Sequence, residues 1–507
     1  MKSRITSGAY YDSVTLMNVA RELSELEGID DAAVVMGTQE NRAILEASGL
    51  LTPEVASSSA ADLAIAVRAD DERAAGEAFS TADRLLAEGR APGEARSHSA
   101  RTLDGALKTE PGLNLALISV AGPYAGDVAD EALDRGLHVM LFSDNVPLET
   151  EVALKRKAHD AGLLVMGPDC GTAILNGVPL GFANAVSWGP VGIVAASGTG
   201  LQEVSCFLSN EGVGVSQALG TGGRDVTDAV GGITFLDALE ALGEDASTEI
   251  VLLVSKPPDP SVEESIRRAA DGIGKPVVTV FRGASPSSAN DAWTLAEAAA
   301  KTAALSRGET LDPDTAWRPT DDALLGFAKD IASARDGRQR YVRALMSGGT
   351  FASEAVVVFG NVGMTDVRAN AGRGAKPLDD PLRSVGNTVV DMGADAFTVG
   401  RPHPMIDYSL RLRRLAEESR DAETAVVLLD VVLGYGANPD PASELEDAVR
   451  DASSRVAVVC SITGTERDPQ VRSAVEKRLG RAGAFVMSSN EQACRLAGAV
   501  VRILGEN

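Results

Sequence analysis

Histidine, cysteine and aromatic side chains are scarce in this chain. Its 507 residues hold four histidines, His98, His138, His159 and His403, and Phe, Trp and Tyr together make up 4%. The four cysteines, Cys170, Cys206, Cys460 and Cys494, are scattered without C-x-x-C spacing, which argues against a disulfide scaffold and a structural zinc site. The patterns H-E-x-x-H, Walker A and G-x-S-x-G do not occur, so metalloprotease, P-loop NTPase and α/β-hydrolase chemistry drop out. No apolar run reaches the roughly 18 residues of a membrane span, and the start MKSRITSGAY has no apolar signal core. A soluble, cytoplasmic protein is expected. Positive charge is also short, with 47 Lys and Arg against 72 Asp and Glu and a net charge of −25. Such a surface repels nucleic acid and anionic lipid. Small anionic substrates are not excluded, because backbone N–H groups at helix starts bind anions whatever the net charge.

What is abundant is glycine, at 51 residues, in a chain that is 44% hydrophobic. This suits an α/β protein with many strand-to-helix turns, and the length calls for three or four domains. Residues 4–10, 32–36 and 62–69 read as short strands with helices between and after them, a small α+β domain, ferredoxin-like, over 1–95. The polar stretch 89–102 reads as a linker. From 113 apolar strands alternate with helices at 113–120, 138–142 and 163–167, the pattern of a parallel sheet, here a Rossmann-like unit over 103–188. A second unit over 190–305 has strands at 191–197, 214–223, 249–255 and 276–281. After a linker at 306–340 with a helix near 321–334, a third unit over 340–507 reads as strands at 352–360, 424–436, 455–464 and 484–489.

Three glycine-bearing turns end predicted strands. Ser197-Gly198-Thr199-Gly200 stands where a strand passes into a helix, so unpaired amides and the helix dipole favour an anion, with small residues giving it access. The alternative is a capped turn with no ligand. Gly220-Thr221-Gly222-Gly223 ends the next strand, at the edge where open α/β sheets bind ligands, or merely turns the chain. Gly167-Pro168-Asp169-Cys170-Gly171-Thr172 is the third. Cys170 reads as a nucleophile or, better, as a small buried apolar residue. Ser347-Gly348-Gly349, Gly434-Tyr435-Gly436 and Thr463-Gly464-Thr465 repeat the theme. His403, held between two prolines in Gly400-Arg401-Pro402-His403-Pro404, sits on a rigid loop suited to a site residue or a plain loop contact.

Taken together these turns resemble the α subunit of succinyl-CoA synthetase and the NDP-forming acyl-CoA synthetases. GPDCGT (167–172), GIVAASGTGLQEV (192–204) and ALGTGGRDV (218–226) are similar to that group's turns in order and spacing. The resemblance implies a multidomain α/β fold: a Rossmann-like domain of the CoA-binding type, two flavodoxin-like succinyl-CoA synthetase-type domains and the small N-terminal domain. It covers about 103–285, and 424–505 is more loosely similar to the last domain of the β subunit. The chain departs from the group where RGASPSSANDAW (282–293) replaces the phosphohistidine loop, where Val254-Ser255-Lys256-Pro257-Pro258 replaces an acidic segment, and in having no room for ATP-grasp domains. Over nearly its whole length the chain resembles the FdrA family, through GAYYDSVTLM (8–17), MGTQEN (36–41), MSGGTF (346–351) and GRPHPMID (400–407).

That resemblance implies an acyl-CoA synthetase-like protein, some of whose kin are implicated as a subunit of an oxamate carbamoyltransferase in allantoin and purine breakdown. Three functions follow as alternatives. In the first, partner subunits and this chain transfer the carbamoyl group of carbamoyl phosphate; its phosphoryl group would sit at Ser197–Gly200, flanked by Gly220–Gly223, with Lys256 as a catalytic cation. In the second the chain is a CoA ligase subunit whose ATP-grasp part is a separate chain, and His403 is the phosphate carrier. In the third it is a non-catalytic scaffold. CoA or carbamoyl phosphate enters as substrate, no tightly bound cofactor is expected, and a dimer or larger assembly is the expectation for the fold.

Overall fold

The computed structural model describes residues 1–507 except 8–10, 12, 39–40, 43–44, 47, 60–61, 89–99, 101, 284–285, 312–321, 399–401 and 507. The linker expected at 89–102, with His98, therefore lies almost wholly outside the described residues, as do parts of the motifs at 8–17, 36–41, 282–293 and 400–407. The chain forms two compact units. One comprises Met1–Leu163 with Asp395–Asp407, the other Leu164–Ala394 with Tyr408–Asn507.

The first unit opens with β1 (Lys2–Thr6), β2 (Ile29–Met36) and β3 (Leu63–Ala69), which form an antiparallel sheet in the order β1-β3-β2. Helices Ser13–Ser24 and Glu72–Glu88 cover one face through Leu16, Val19, Leu23, Ala78, Ala82 and Leu86, which pack on Ile65 and Val67. Leu45, Leu50 and Val55 cover the other face at Ala64 and Ala66. Burial of both faces explains why DLAIAVRA reads as an unbroken apolar run rather than alternating. Farther on, β4 (Leu115–Ile118) and β5 (His138–Leu141) pair in parallel, with helices Gly122–Asp134 and Leu148–Asp160 following them.

The second unit carries two larger sheets. After the short β6 (Val165–Met166) come β7 (Thr172–Leu175), β8 (Val178–Gly181), β9 (Val191–Ala195), β10 (Val215–Gly220), β11 (Ile250–Ser255) and β12 (Val277–Phe281), in the order β12-β11-β9-β10-β7-β8. β10, β9, β11 and β12 run parallel, and the β7–β8 hairpin joins antiparallel to β10. The hairpin, which the sequence reading grouped with residues 103–188, thus forms the edge of the next sheet. The other sheet has β13 (Tyr341–Met346), β14 (Val367–Ala369), β15 (Lys376–Pro377), β16 (Asn387–Asp391), β17 (Thr424–Val432), β18 (Ala457–Thr463) and β19 (Phe485–Met487), all parallel, in the order β15-β14-β16-β13-β17-β18-β19.

One element corrects the sequence reading. Residues 352–360, read as a strand, lie in the helix Gly349–Asn361, and the strand is the preceding Tyr341–Met346. The run AVVVF is apolar throughout because most of the helix is buried: Phe351, Ala352, Ala355, Val358 and Phe359 are all inaccessible to solvent, and over 351–360 only the stripe Ser353, Val357 and Gly360 reaches it. A short run of that kind has no period to betray it. Among the described residues no helix is long and apolar enough to cross a membrane.

Candidate functional site

Both large sheets switch direction of winding at a central strand. From β9 the chain moves to β10 on one side and returns to β11 on the other, and from β13 it moves outward through β14 and β16 before returning at β17. Crevices for ligands open at the carboxyl ends of such strands. The helices leaving β9 and β13, Gly198–Asn210 and Gly349–Asn361, are those whose starts carry the Ser-Gly motifs.

Ser197 caps the first helix, its Oγ accepting from the amide of Gly200 at 3.2 Å. The amides of Gly198 and Thr199 precede the first intrahelical bond and point off the helix start with its positive dipole end. The second helix begins at Gly348, with no side-chain cap. The two starts meet: Ser197 Oγ lies 2.6 Å from Thr350 Oγ1, and a methyl group on Gly348 would reach the Thr199 side chain at 3.6 Å. Two helix N-termini thus converge on one place.

A cavity of about 110 Å³ opens beside Ser197 and Gly198, walled by Ala195, Ala196, Asp169, Cys170, Gly171, Thr172, Gly220, Gly222 and Gly223. That is several times the about 30 Å³ a water occupies in the liquid. The three predicted turns at 167–172, 197–200 and 220–223 therefore surround a single space. Thr199, Gly200, Thr221, Gly167 and Pro168 adjoin the lining residues in the chain without lining the cavity themselves. Glycine is required where the loops press together. A Cβ at Gly220 would lie 2.5 Å from the Thr172 carbonyl oxygen and 2.7 Å from Cys170 Sγ. At Gly222, φ is +83° and a Cβ would fall on the Pro168 carbonyl oxygen. Gly222→Ala is expected to destabilise the chain by about 1–3 kcal/mol and to abolish anion binding at this cavity, measured by urea denaturation and calorimetric titration. An unchanged denaturation midpoint would contradict the close approach.

Cys170 is buried, and its thiol donates to the Gly220 carbonyl at 3.3 Å, so it fills the role of a small packed residue. Lys256 follows β11 at the same edge, exposed, outside the cavity wall and without a hydrogen-bond partner among the described residues. His403 belongs to the first unit; its Nδ1 accepts from the Met405 amide at 3.2 Å. Gly434, at φ +113°, and Gly436 pack against Ala183 and the Phe182 ring, where a Cβ would lie 2.6 Å and 2.7 Å away.

The sequence reading missed the buried polar layer behind the helix starts. Asp430, inaccessible on β17, accepts from the Ser347 amide at 2.7 Å and from the Ser347 hydroxyl, and it pairs with the buried Arg411 at 3.4 Å. Six residues into each facing helix from its cap stands a buried glutamate, Glu203 and Glu354. Asn490 joins them, its amide donating to Glu203 Oε1 at 3.1 Å and its Nδ2 to Glu354 Oε2 at 2.7 Å. Thr463 donates to Glu203, and the Leu295 amide to Glu354 at 2.7 Å. Burial raises both carboxyls above the usual range, that of Glu354 to about 7. The signal was present in sequence as a Ser-Gly turn followed two helical turns on by a glutamate, SGTGLQE and SGGTFASE.

Family models identify these two sheets with their facing helix starts as those of a CoA-ligase-type protein. Residues 187–283 match the CoA binding domain and 345–500 the CoA-ligase domain. Residues 1–102 match the model described as AllF, heavy metal-associated domain. That segment contains no cysteine, and among the described residues no group of His, Cys, Asp and Glu could hold a metal ion, so its residues do not fit a thiolate metal site. The chain is 39% identical over 519 residues to YahF of Escherichia coli (strain K12), a match spanning 98% of each; it belongs to the YahF family. It is 31% identical over 182 residues to the α subunit of an ADP-forming succinate–CoA ligase of Staphylococcus epidermidis, spanning 35% of this chain and 58% of that subunit. A dinucleotide-forming acetyl-coenzyme A synthetase 1 of Ca. Korarchaeum cryptofilum aligns over 78% of this chain and 83% of its own at 16% identity, with a TM-score of 0.29 that carries no further weight.

Proposed function

We propose that this chain is the acyl-phosphate-binding subunit of a CoA-ligase-type acyltransferase that works with partner subunits. The observation that carries the reading is the meeting of two helix starts at Ser197 and Thr350, beside a cavity of about 110 Å³ walled, apart from Asp169, by glycine and other small residues. Two helix N-termini aimed at one point favour a phosphoryl dianion, and the glycines let it approach the amides. A second fact bears on how the acyl phosphate arises. Leu164–Ala394 and Tyr408–Asn507 contain no histidine, so this unit has no residue of its own to carry a phosphoryl group in the manner of a phosphohistidine. This favours a mixed anhydride that arrives preformed. The amides of Gly198 and Thr199 hold its phosphoryl group and stabilise the charge that builds there as an acceptor attacks the acyl carbon. Carbamoyl phosphate is the substrate we favour, following the FdrA resemblance. The matches to CoA-binding and CoA-ligase domains favour a second reading, in which the thiol of CoA is the acceptor.

The test is thermal unfolding of the purified chain with carbamoyl phosphate, acetyl phosphate, phosphate, CoA and ATP in parallel. A ligand that binds only the folded chain raises the melting temperature by mass action. Stabilisation by an acyl phosphate beyond that by phosphate is expected. A shift with ATP alone, or with none of the five in the presence or absence of candidate partners, would overturn the reading.

A further inference from the structure

The carboxyl edge of the first large sheet holds a guanidinium that the fold does not use. Arg282 directly follows β12, continues its ladder by donating its amide to the Ser255 carbonyl at 3.0 Å, and is only 6% exposed. Its Nε and Nη1 are buried with no hydrogen-bond partner, and no ion pair involves it among the described residues. Leaving charged donors buried and unpaired is costly, so the arrangement calls for a ligand.

The direction of the side chain follows from strand geometry. Phe281, one residue earlier, faces the helix Pro260–Gly272, whose Arg267 guanidinium stacks on its ring at 5.3 Å. Alternation along a strand turns Arg282 to the opposite face. On that face Val254 of β11, paired beside Val280, lies against the start of the helix Gly198–Asn210: a Cβ on Gly200 would stand 3.1 Å from Val254 Cγ1. Arg282 is thus two residues beyond Val280 toward the carboxyl edge, level with that helix start. The charge acting on it is the carboxylate of Glu354, on the helix whose start meets Ser197. The guanidinium therefore lies on the sheet face that carries the helix Gly198–Asn210 and within electrostatic reach of the helix Gly349–Asn361.

We infer that Arg282 is the fixed cation of this anion site and binds the phosphoryl group presented to the amides of Gly198 and Thr199. The inference rests on the acyl-phosphate reading above. It adds a residue in the stretch 282–293, where the resemblance to succinyl-CoA synthetase breaks off, and exchanges a carrier that is phosphorylated for a cation that only binds. An arginine presents its donors in a rigid fork suited to phosphate and stays charged.

Three chains test it by calorimetric titration with acyl phosphate and with phosphate, and by thermal unfolding without ligand. Arg282→Met is expected to weaken binding of both about 10- to 100-fold. In the absence of ligand its melting temperature should rise by about 2–4 °C, because an unpaired buried charge is gone. Arg282→Lys keeps the charge and should retain binding to within about tenfold. If the parent chain binds and Arg282→Met binds equally well, the inference falls while the acyl-phosphate reading stands. If Arg282→Met unfolds or melts lower without ligand, Arg282 is a structural partner of Glu354 and the inference falls too. If the parent chain binds neither anion, the reading itself fails and carries the inference with it.

Discussion

Asp430→Ala is expected to cost the folded chain about 3–5 kcal/mol. Asp430, on β17 of the second large sheet, and Arg411, on the helix Ser409–Glu418, are both buried. A buried pair adds little over an apolar one, but removing a single partner leaves the other charge stranded in a low dielectric. Among the described residues Arg411 would then keep the carbonyl oxygens of Leu345 and residue 430, at 3.2 and 2.5 Å, and the face of the Tyr408 ring, but no countercharge. The Ser347 amide and hydroxyl, which donate to Asp430, would lose their acceptor, and with them the anchor that sets the start of the helix Gly349–Asn361. Asp430→Asn, which keeps an acceptor for the Ser347 amide, should cost less. Urea denaturation decides it, and a loss for Asp430→Ala below about 1 kcal/mol would mean that the Ser347–Asp430–Arg411 chain does not hold the sheet edge together.

The second large effect is a dependence on pH. The Glu354 carboxyl lies at about 7 in the fold against an ordinary value of 4.5, because burial disfavours its charge more than the Asn490 and Leu295 donors favour it. Between pH 4.5 and 7 the folded chain thus holds a proton that the unfolded chain has released. Stability from this group is full below pH 4.5, falls as pH rises, and levels off above 7. The whole change amounts to ~3 kcal/mol. Glu203, also raised by burial, adds in the same direction. Glu354→Gln keeps an oxygen for the Leu295 amide, and a turn of the Asn490 amide pairs the other end. That variant should match the parent near pH 5 and exceed it at pH 8. Parallel stability curves for the two chains from pH 5 to 8 would refute the assignment.

Much of this arrangement could be read from the sequence. The alternation of apolar strands and helices gave the parallel sheets, and each of the turns 167–172, 197–200 and 220–223 ends a strand as the glycines suggested. Their convergence on one cavity follows from neighbouring positions in a sheet, which strand order decides and local sequence does not. The misreading of 352–360 has a definite cause: a helix whose narrow open stripe, Ser353, Val357 and Gly360, is itself apolar or small loses the period by which helices are recognised. Asp430, Arg411, Glu203, Glu354 and Asn490 were invisible for another reason. A charged residue inside an apolar run such as TAVVLLDVV reads as a strand that surfaces, and only its distant partner, Ser347 in this case, explains why it stays inside. Lys256 drew notice because it replaced an acidic residue in a resembling segment, yet it stands in solvent. Arg282, in the same region, was passed over because an arginine after a strand is ordinarily a solvated one.

The most direct test of the central claim is a crystal structure of this chain grown with a non-hydrolysable phosphonate analogue of carbamoyl phosphate. The account predicts a tetrahedral group at the amides of Gly198 and Thr199, in the cavity beside Ser197 and within reach of Arg282. A phosphonate bound elsewhere, or that position left free at saturating concentration, would contradict it.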